Sequence, residues 1–357
     1  MRDGLHVDIE PDELSEEVAF ISHAHADHVR CLEQIPPGNE PPVVIASAET
    51  RQLLAARFPS IADKVDFHDD DSGLSGLISP AAEYHCTLVP CGHVLGARSL
   101  LVSRDDHFHR TGGAGTKVPD VEFLYTGDFF TQPGRILPPL APVKAGILAC
   151  ECTFGSPFFE FPPFGVLAGE ITDWIATALG KGPVVLYGYP LGKNQELLSL
   201  LAPFSADTTI IADEETCKVS DVYRNAGIQL PACKPYKEYS RGKYFEKESR
   251  WILLLSQGDR FDSRYQKLDR TGCRRAVFSG WAMDEAWLRE RRVDAGFPLS
   301  DHPSFLDLVS FIEGCSPATV LLTHGNGTIL RNKLLERGTG LVGDHLARDT
   351  RILALKA

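Results

Sequence analysis

Short apolar runs that stop abruptly at polar residues recur along the chain. Val18-Ala19-Phe20-Ile21 stops at Ser22-His23-Ala24-His25-Ala26-Asp27-His28, and Val121 to Tyr125 alternates before Thr126-Gly127-Asp128. Gly146 to Cys150 stops at Glu151, and Val320-Leu321-Leu322 stops at Thr323-His324-Gly325. Each run has the length and residue types of a strand. A buried strand with polar residues at its carboxyl end is where α/β sheets carry their sites, because the scaffold is rigid and the loops are free. Four such endings predict one composite site built from distant segments. Helical spacing lies between them. Glu49 to Phe58 follows the N-cap candidate Ser47 and carries Leu53, Leu54 and Phe58, and Phe305 to Glu313 follows Ser304 in the same way.

From Pro183 the rhythm changes. Pro183 to Tyr187 reads as a strand, Asn194 to Leu201 as a helix, Thr208 to Ala212 as a strand, and Trp251 to Leu255 and Ala276 to Ser279 as two more. This alternation predicts a parallel, Rossmann-like sheet. The Pro-rich stretch Pro157 to Pro163 marks the passage into it and Gly296 to Asp301 the way back. The chain is therefore expected to be α/β, with a first domain over residues 1–156 and 297–357 interrupted by an inserted domain over 157–296. Asp105 to Pro119, with Gly112, Gly113 and Gly115, reads as a surface excursion.

Composition narrows the function classes. The 357 residues are 43% hydrophobic and 24% charged, which excludes a mainly disordered chain. No apolar run approaches the ~20 residues that span a bilayer, so no membrane partner is expected. The opening segment carries Asp3, Asp8, Glu10, Asp12, Glu13, Glu16 and Glu17 and lacks the apolar core of a secretory leader. The nine cysteines include no Cys-x-x-Cys pair and are odd in number. A disulfide framework is not expected, and a reduced cytoplasmic setting fits. The formal charge of −12 argues against a protein that coats DNA through a broad basic face. It leaves open a nuclease that grips a few phosphates and relies on metal ions.

His23-x-His25-x-Asp27-His28 carries the most chemistry. Two imidazoles one residue apart can converge on one cation from a turn, and the adjacent Asp-His pair can face a second. Imidazole nitrogen with carboxylate oxygen suits Zn²⁺, and also accommodates Mn²⁺ or Fe²⁺. A solvated His-rich loop is the bland alternative. Further donors are His93 between Gly92 and Gly96, Asp128 and His324. Singly these read as a core histidine, a turn or cap residue and a capped strand end. Their shared strand-end context makes them jointly specific.

Together these residues resemble the metallo-β-lactamase superfamily and, more narrowly, its β-CASP nuclease branch. His23, His25, Asp27 and His28 match its HxHxDH signature, His93 its GHxxGA segment and Asp128 its TGD segment. Glu151 in Glu151-Cys152-Thr153-Phe154-Gly155, His302 in Leu299-Ser300-Asp301-His302 and His324 match the three motifs of the branch itself. The segment Leu191-Gly192-Lys193-Asn194-Gln195-Glu196-Leu197 resembles the opening of a β-CASP domain helix. Thr153-Phe154-Gly155, Gly192-Lys193 and Ser279-Gly280-Trp281 look most like a compact subgroup of archaeal mRNA 3′-end processing factor-like and bacterial ligase-associated exonucleases.

The resemblance implies a metallo-β-lactamase αββα sandwich with an inserted Rossmann-like β-CASP domain. It implies two divalent ions, Zn²⁺ before Mn²⁺, one held by His23, His25, His93 and Asp128. The other would be held by Asp27, His28, Asp128 and His324. Asp27, Glu151 and His302 would be catalytic, with His302 as general acid oriented by Glu151. Capping the helix that begins near Ser304 is the other reading of His302. Lys193, near the start of a helix, would contact phosphate, or else face solvent. Single-stranded RNA or DNA is the implied substrate, RNA processing slightly ahead, with an exonuclease ahead of an endonuclease and a homodimer as a possible assembly. A ligase-associated DNA exonuclease is the alternative, and a small-molecule thioester hydrolase of the same fold a second.

Overall fold

In the computed structural model, which describes residues 7–11, 13–14, 18–35, 41–69, 84–111, 116–241, 250–258, 268 and 272–343, four short parallel strands come first. They are β1 (Asp8–Ile9), β2 (Val18–Phe20), β3 (Val43–Ile45) and β4 (Asp66–His68), paired in that order. The helix Ala48–Arg57 lies between the last two. Ser47 caps it by accepting the Thr50 N–H, and Thr50, Leu53 and Leu54 are its buried residues. Four longer strands follow: β5 (Tyr84–Pro90), β6 (Arg98–Thr111), β7 (Thr116–Tyr125) and β8 (Ala145–Glu151). β5, β6 and β7 form an antiparallel meander, and β8 joins β7 in parallel.

The contacts divide the chain into two units. One comprises residues 1–131, 138–158 and 302–357, the other residues 132–137 and 159–301. The second unit includes the helix Phe164–Leu179, whose Leu167, Ile171, Ile175 and Ala178 recur at helical spacing and are buried. It holds β9 (Val184–Gly188), β10 (Thr209–Ala212), β11 (Lys234–Pro235), β12 (Trp251–Ser256), β13 (Arg274–Phe278) and β14 (Ala295–Phe297). All pair in parallel, in the order β11-β10-β12-β9-β13-β14. The near-continuous apolar runs Val184–Leu186 and Trp251–Leu255 belong at the centre of such a sheet, where both faces are covered.

The chain then returns to the first unit with the helix Phe305–Cys315, β15 (Thr319–Thr323), the helix Thr328–Glu336 and β16 (Leu341–Gly343). β15 pairs in parallel with β8 and with β16, completing a six-stranded sheet in the order β16-β15-β8-β7-β6-β5. Val7, Ile9, Val18, Phe20 and Ile45 from the four-stranded sheet share one core with Tyr84, Cys86, Leu100, Phe123, Tyr125 and Ala149 from the six-stranded one. Two sheets packed face to face make the sandwich, and the helix Phe305–Cys315 lies against β8. Its Phe311 ring stands 4.5 Å from that of Phe129. The chain is thus an α/β protein of metallo-β-lactamase-like fold.

The stretch from Asp105 to Pro119, read from the sequence as a surface excursion, extends the β6–β7 ladder: β6 continues to Thr111 and β7 starts at Thr116, with Phe108 opposite Pro119. A register shift between Ser103 and Phe108 lets the polar stretch stay in the ladder. Residues 112–115 lie outside the described ones.

Candidate metal centre

The carboxyl ends of the sandwich strands bring the candidate donors together. After β2 the chain runs through His23 and His25 without regular structure, then turns so that the His28 N–H donates to the His25 carbonyl at 3.2 Å. His25 Nδ1 lies 3.0 Å from His23 Nε2 and 3.1 Å from His93 Nε2. Asp128 Oδ2 lies 3.7, 3.6 and 3.2 Å from the Nε2 atoms of His23, His93 and His28. His23, His25, His93 and Asp128 offer four ligand atoms within 4.8 Å of one another, and Glu10, His28 and His324 form a second such group.

Two glycines permit this convergence. Gly96 has φ +79°, and a Cβ there would come within 2.6 Å of the Thr50 nitrogen. Its carbonyl accepts hydrogen bonds from Ser47 Oγ at 2.7 Å and Thr50 Oγ1 at 3.0 Å, pinning the turn that carries His93 onto the helix cap. Gly127 has φ +58°, and a Cβ there would meet Ser22 Cβ at 2.8 Å, so only glycine lets Asp128 come alongside His23. On the far side, β8 and β15 register Glu151 opposite Thr323, which sets His324 beside the Glu151 end. His324 itself adopts φ +46°.

The electrostatics suit cation binding. Burial, and then the neighbouring His28, His93 and His25, hold the His23 imidazole well below its ordinary pKa, and therefore neutral with a lone pair to give. Burial alone would raise the Asp128 carboxyl, but His28 and its hydrogen bond hold it well below the carboxylate range. Asp128 Oδ1 is a buried carboxylate oxygen with no hydrogen-bond partner, a costly arrangement that a cation would relieve. A tetrahedral set of Zn–N bonds of 2.0–2.1 Å separates its nitrogens by about 3.3 Å, close to the observed His–His spacings. The donor set fits a divalent ion, and this cluster can hold metal.

Two residues that the sequence reading did not assign to the site support it. Glu10 is buried at the end of β1 and accepts the Ser22 N–H on Oε1 at 2.7 Å. Its Oε2 accepts His28 Nδ1–H at 2.7 Å and the Tyr125 hydroxyl at 2.5 Å. A carboxylate that takes the Nδ1 proton leaves the His28 Nε2 lone pair facing the metal site. Tyr125 Oη also lies 3.2 Å from His324 Nε2. The signal for Glu10 was present: Val7 and Ile9 alternate with Asp8 and Glu10, so it too ends a strand.

His302 and Glu151 form the adjoining pair. His302 Nδ1 is 2.9 Å from both Glu151 oxygens, and its ring centroid is 4.6 Å from that of His93. Glu151 is fully buried, fixed by the Phe129 N–H at 2.9 Å and the Thr153 hydroxyl at 2.6 Å. Asp27 is the outlying member: its side chain is 65% exposed, with Oδ2 3.8 Å from His28 Nε2. Lys193 lies away from solvent. It is 1% exposed, and Nζ donates to Asp301 Oδ1 at 2.7 Å within the second unit, so its ammonium is committed to a buried ion pair.

A two-sheet α/β sandwich with clustered His and Asp donors at its strand ends defines a metallohydrolase-like class. No family model matches the chain. It is 32% identical over 325 residues to a protein of Opitutus terrae named probable DNA ligase, covering 90% of this chain and 28% of that protein. It is 33% identical over 147 residues to endoribonuclease YSH1 of Mycosarcoma maydis, covering 40% of this chain and 14% of that protein. The chain thus spans less than a third of either relative's length. A crystal structure of a protein of unknown function from Enterococcus faecalis V583 superposes with TM-score 0.58 at 14% identity, covering 91% of this chain and 78% of that one, a likeness of fold. These matches support placing the chain in the β-CASP branch of the metallo-β-lactamase superfamily.

Proposed function

We propose that the chain is a metal-dependent nuclease that hydrolyses phosphodiester bonds of single-stranded nucleic acid from an end. The observation that carries this is the cluster of His23, His25, His93 and Asp128 around an unpartnered buried carboxylate oxygen, with the His302–Glu151 pair beside it. Divalent ions held by His23, His25, His93 and Asp128, and by Asp27, His28, Asp128 and His324, would polarise the phosphate and activate water at neutral pH. Glu10 fixes the His28 tautomer, and the Ser22 hydroxyl, 2.8 Å from His23 Nδ1, can accept the Nδ1–H of His23. Glu151 accepts the Nδ1 proton of His302 and fixes the ring. The protonated Nε2 of His302 then donates to the leaving oxygen of the scissile phosphodiester. The long match to a protein named DNA ligase favours DNA ends as substrate, and the shorter match to an endoribonuclease favours RNA as the second reading.

The test is end-labelled single-stranded DNA and RNA of one sequence, incubated with Zn²⁺- or Mn²⁺-loaded protein. A ladder shortening from one end is expected. His302→Ala keeps its metal content and loses about 10²–10⁴-fold in turnover. Fully metallated protein that cleaves neither polymer, or an unchanged His302→Ala, refutes the reading.

A further inference from the structure

Far along the chain from the metal-centre motifs, the second unit brings two thiols into contact. Cys217 lies in the helix Glu214–Asn225, which Asp213 caps by accepting the Thr216 N–H at 2.7 Å. Cys217, Asp221 and Arg224 follow one another at i, i+4 and i+7, so they form one stripe of that helix. Past Asn225 the chain turns at Gly227 and runs back. The Ile228 N–H donates to the Tyr223 carbonyl at 3.1 Å, and Arg224 Nη1 donates to the Pro231 carbonyl at 3.1 Å. The returning segment delivers Cys233 against Cys217, with the sulfurs 3.3 Å apart. A disulfide bond is 2.03–2.05 Å long, so bond formation asks the sulfurs to close by about 1.3 Å.

The surroundings select this pair. Seven of the nine cysteines are buried, and Cys233 is one of the two with partial exposure. The other, Cys273, has its sulfur directed to the Leu268 carbonyl at 3.5 Å. Burial pushes Cys86 up to about 12 and Cys315 up to about 11, which keeps them as inert thiols. The hydrogen bond from Cys217, and after it the Arg224 guanidinium, pull the Cys233 thiol below its ordinary value against the opposing effect of burial. Cys217 is raised by the same hydrogen bond and by burial. Cys233 is thus the accessible thiol with the greater thiolate character, and Cys217 is the resolving partner in reach.

We propose that Cys217 and Cys233 are a reversible redox site that low-molecular-weight disulfides, such as oxidised glutathione, convert to an intramolecular disulfide. The Cys233 thiolate attacks one sulfur of the small disulfide, whose S–S bond breaks, and the departing thiolate takes up a proton. Cys217 then loses its proton and attacks the Cys233 sulfur of the mixed disulfide, expelling the second small thiol. Two electrons pass from the protein thiols to the small disulfide, which leaves as two thiols. The product ties the returning segment to its helix.

The test uses the full metal-loaded chain, incubated with oxidised glutathione, quenched in denaturant with an alkylating agent and weighed. Seven alkyl groups in place of nine are expected, with a cross-linked peptide joining Cys217 to Cys233 and full recovery of nine after dithiothreitol. Cys217→Ser should stop at one glutathione on Cys233. Cys233→Ser, at a partly exposed position, should acquire neither cross-link nor glutathione at Cys217. Nine alkyl groups in the oxidised wild type, a glutathione adduct that persists unresolved, or a cross-link between other cysteines overturns the proposal. Because mass is read rather than turnover, failure here leaves the nuclease reading untouched, and the converse also holds.

Discussion

Replacing Glu10 by Gln keeps the volume of the side chain and removes one acceptor and the charge. The three groups that hydrogen-bond to the Glu10 carboxylate are donors, the Ser22 N–H, His28 Nδ1–H and the Tyr125 hydroxyl, and His324 Nε2 stands 3.8 Å from Oε2. A glutamine offers them one oxygen and one NH₂. With its oxygen towards Ser22, the NH₂ confronts His28, which escapes by moving its proton to Nε2 and so loses the lone pair that faces Asp128. With its oxygen towards His28, the buried Ser22 N–H is left unpaired, at a cost of about 1–3 kcal/mol. Loss of a carboxylate that orients a ligating histidine typically weakens metal binding by about 10–100-fold, or about 1.4–2.7 kcal/mol. Competition against a fluorescent chelator should show that loss in Glu10→Gln. Tyr125→Phe, which removes one donor and leaves the carboxylate, should show a smaller one. Metal affinity within threefold of wild type in a folded Glu10→Gln protein refutes the assignment of Glu10 as the residue that orients His28.

Gly96→Ala should lower urea-unfolding stability by about 1–3 kcal/mol through its positive φ alone, and more through overlap with the Thr50 nitrogen. It should also loosen metal binding, since that turn carries His93; unchanged stability and affinity would contradict the tight fit. Lys193→Met should destabilise the protein by about 3–5 kcal/mol because it removes the cation of a buried ion pair with Asp301. If thermal melts are unchanged and only the salt dependence of nucleic-acid binding falls, the lysine is instead a phosphate contact. The metal-free protein should be pH-sensitive on both sides. Although burial would lower it, Glu10 and Asp128 hold the His28 imidazole well above its ordinary value. That contribution is full below about pH 6.5 and fades as pH rises through the raised value. The depressed Asp128 and Glu10 carboxyls contribute above the ordinary carboxylate range and are lost as pH falls through their own lowered values. Thermal unfolding of chelator-stripped protein from pH 3 to 9 checks this, and a Tm flat across the whole range would contradict it.

Among the candidate donors, His23, His25, Asp128 and His324 follow apolar strands, and a strand end is a local signal. His23, His25, His93 and Asp128 needed only short flanking patterns to be named. Glu10 was hidden by its neighbours: among Asp8, Asp12 and Glu13 a carboxylate reads as one of a solvated acidic group, although Val7 and Ile9 beside it are core residues. Its burial depends on Ser22, His28 and Tyr125, and Tyr125 lies 115 positions away. Lys193 shows the same blindness in reverse. A lysine at the start of a helix looks exposed until Asp301, 108 positions further on, is seen to hold it. In the fold, the Rossmann-like alternation was readable from Val184 and Trp251 onwards. The helix Phe164–Leu179, directly after a proline-rich passage, went unassigned although its buried residues keep helical spacing. The polar ends of β6 and β7 were taken for a loop because ladder pairing, unlike apolar patterning, leaves no mark on composition.

The candidate donors come from four separate stretches, at residues 23–28, His93, Asp128 and His324, and no two neighbouring stretches suffice for a complete cluster. Small zinc modules fold around their ion because their ligands sit close together on a short strip of backbone. Here the strands must be paired and the sandwich closed before the cavity exists, and such long-range pairings form slowly. Ion capture would therefore be the last event of maturation, on an architecture already standing. Chelation should empty the centre without collapsing the sheets, and the ion finally installed is decided by which cations surround the finished protein.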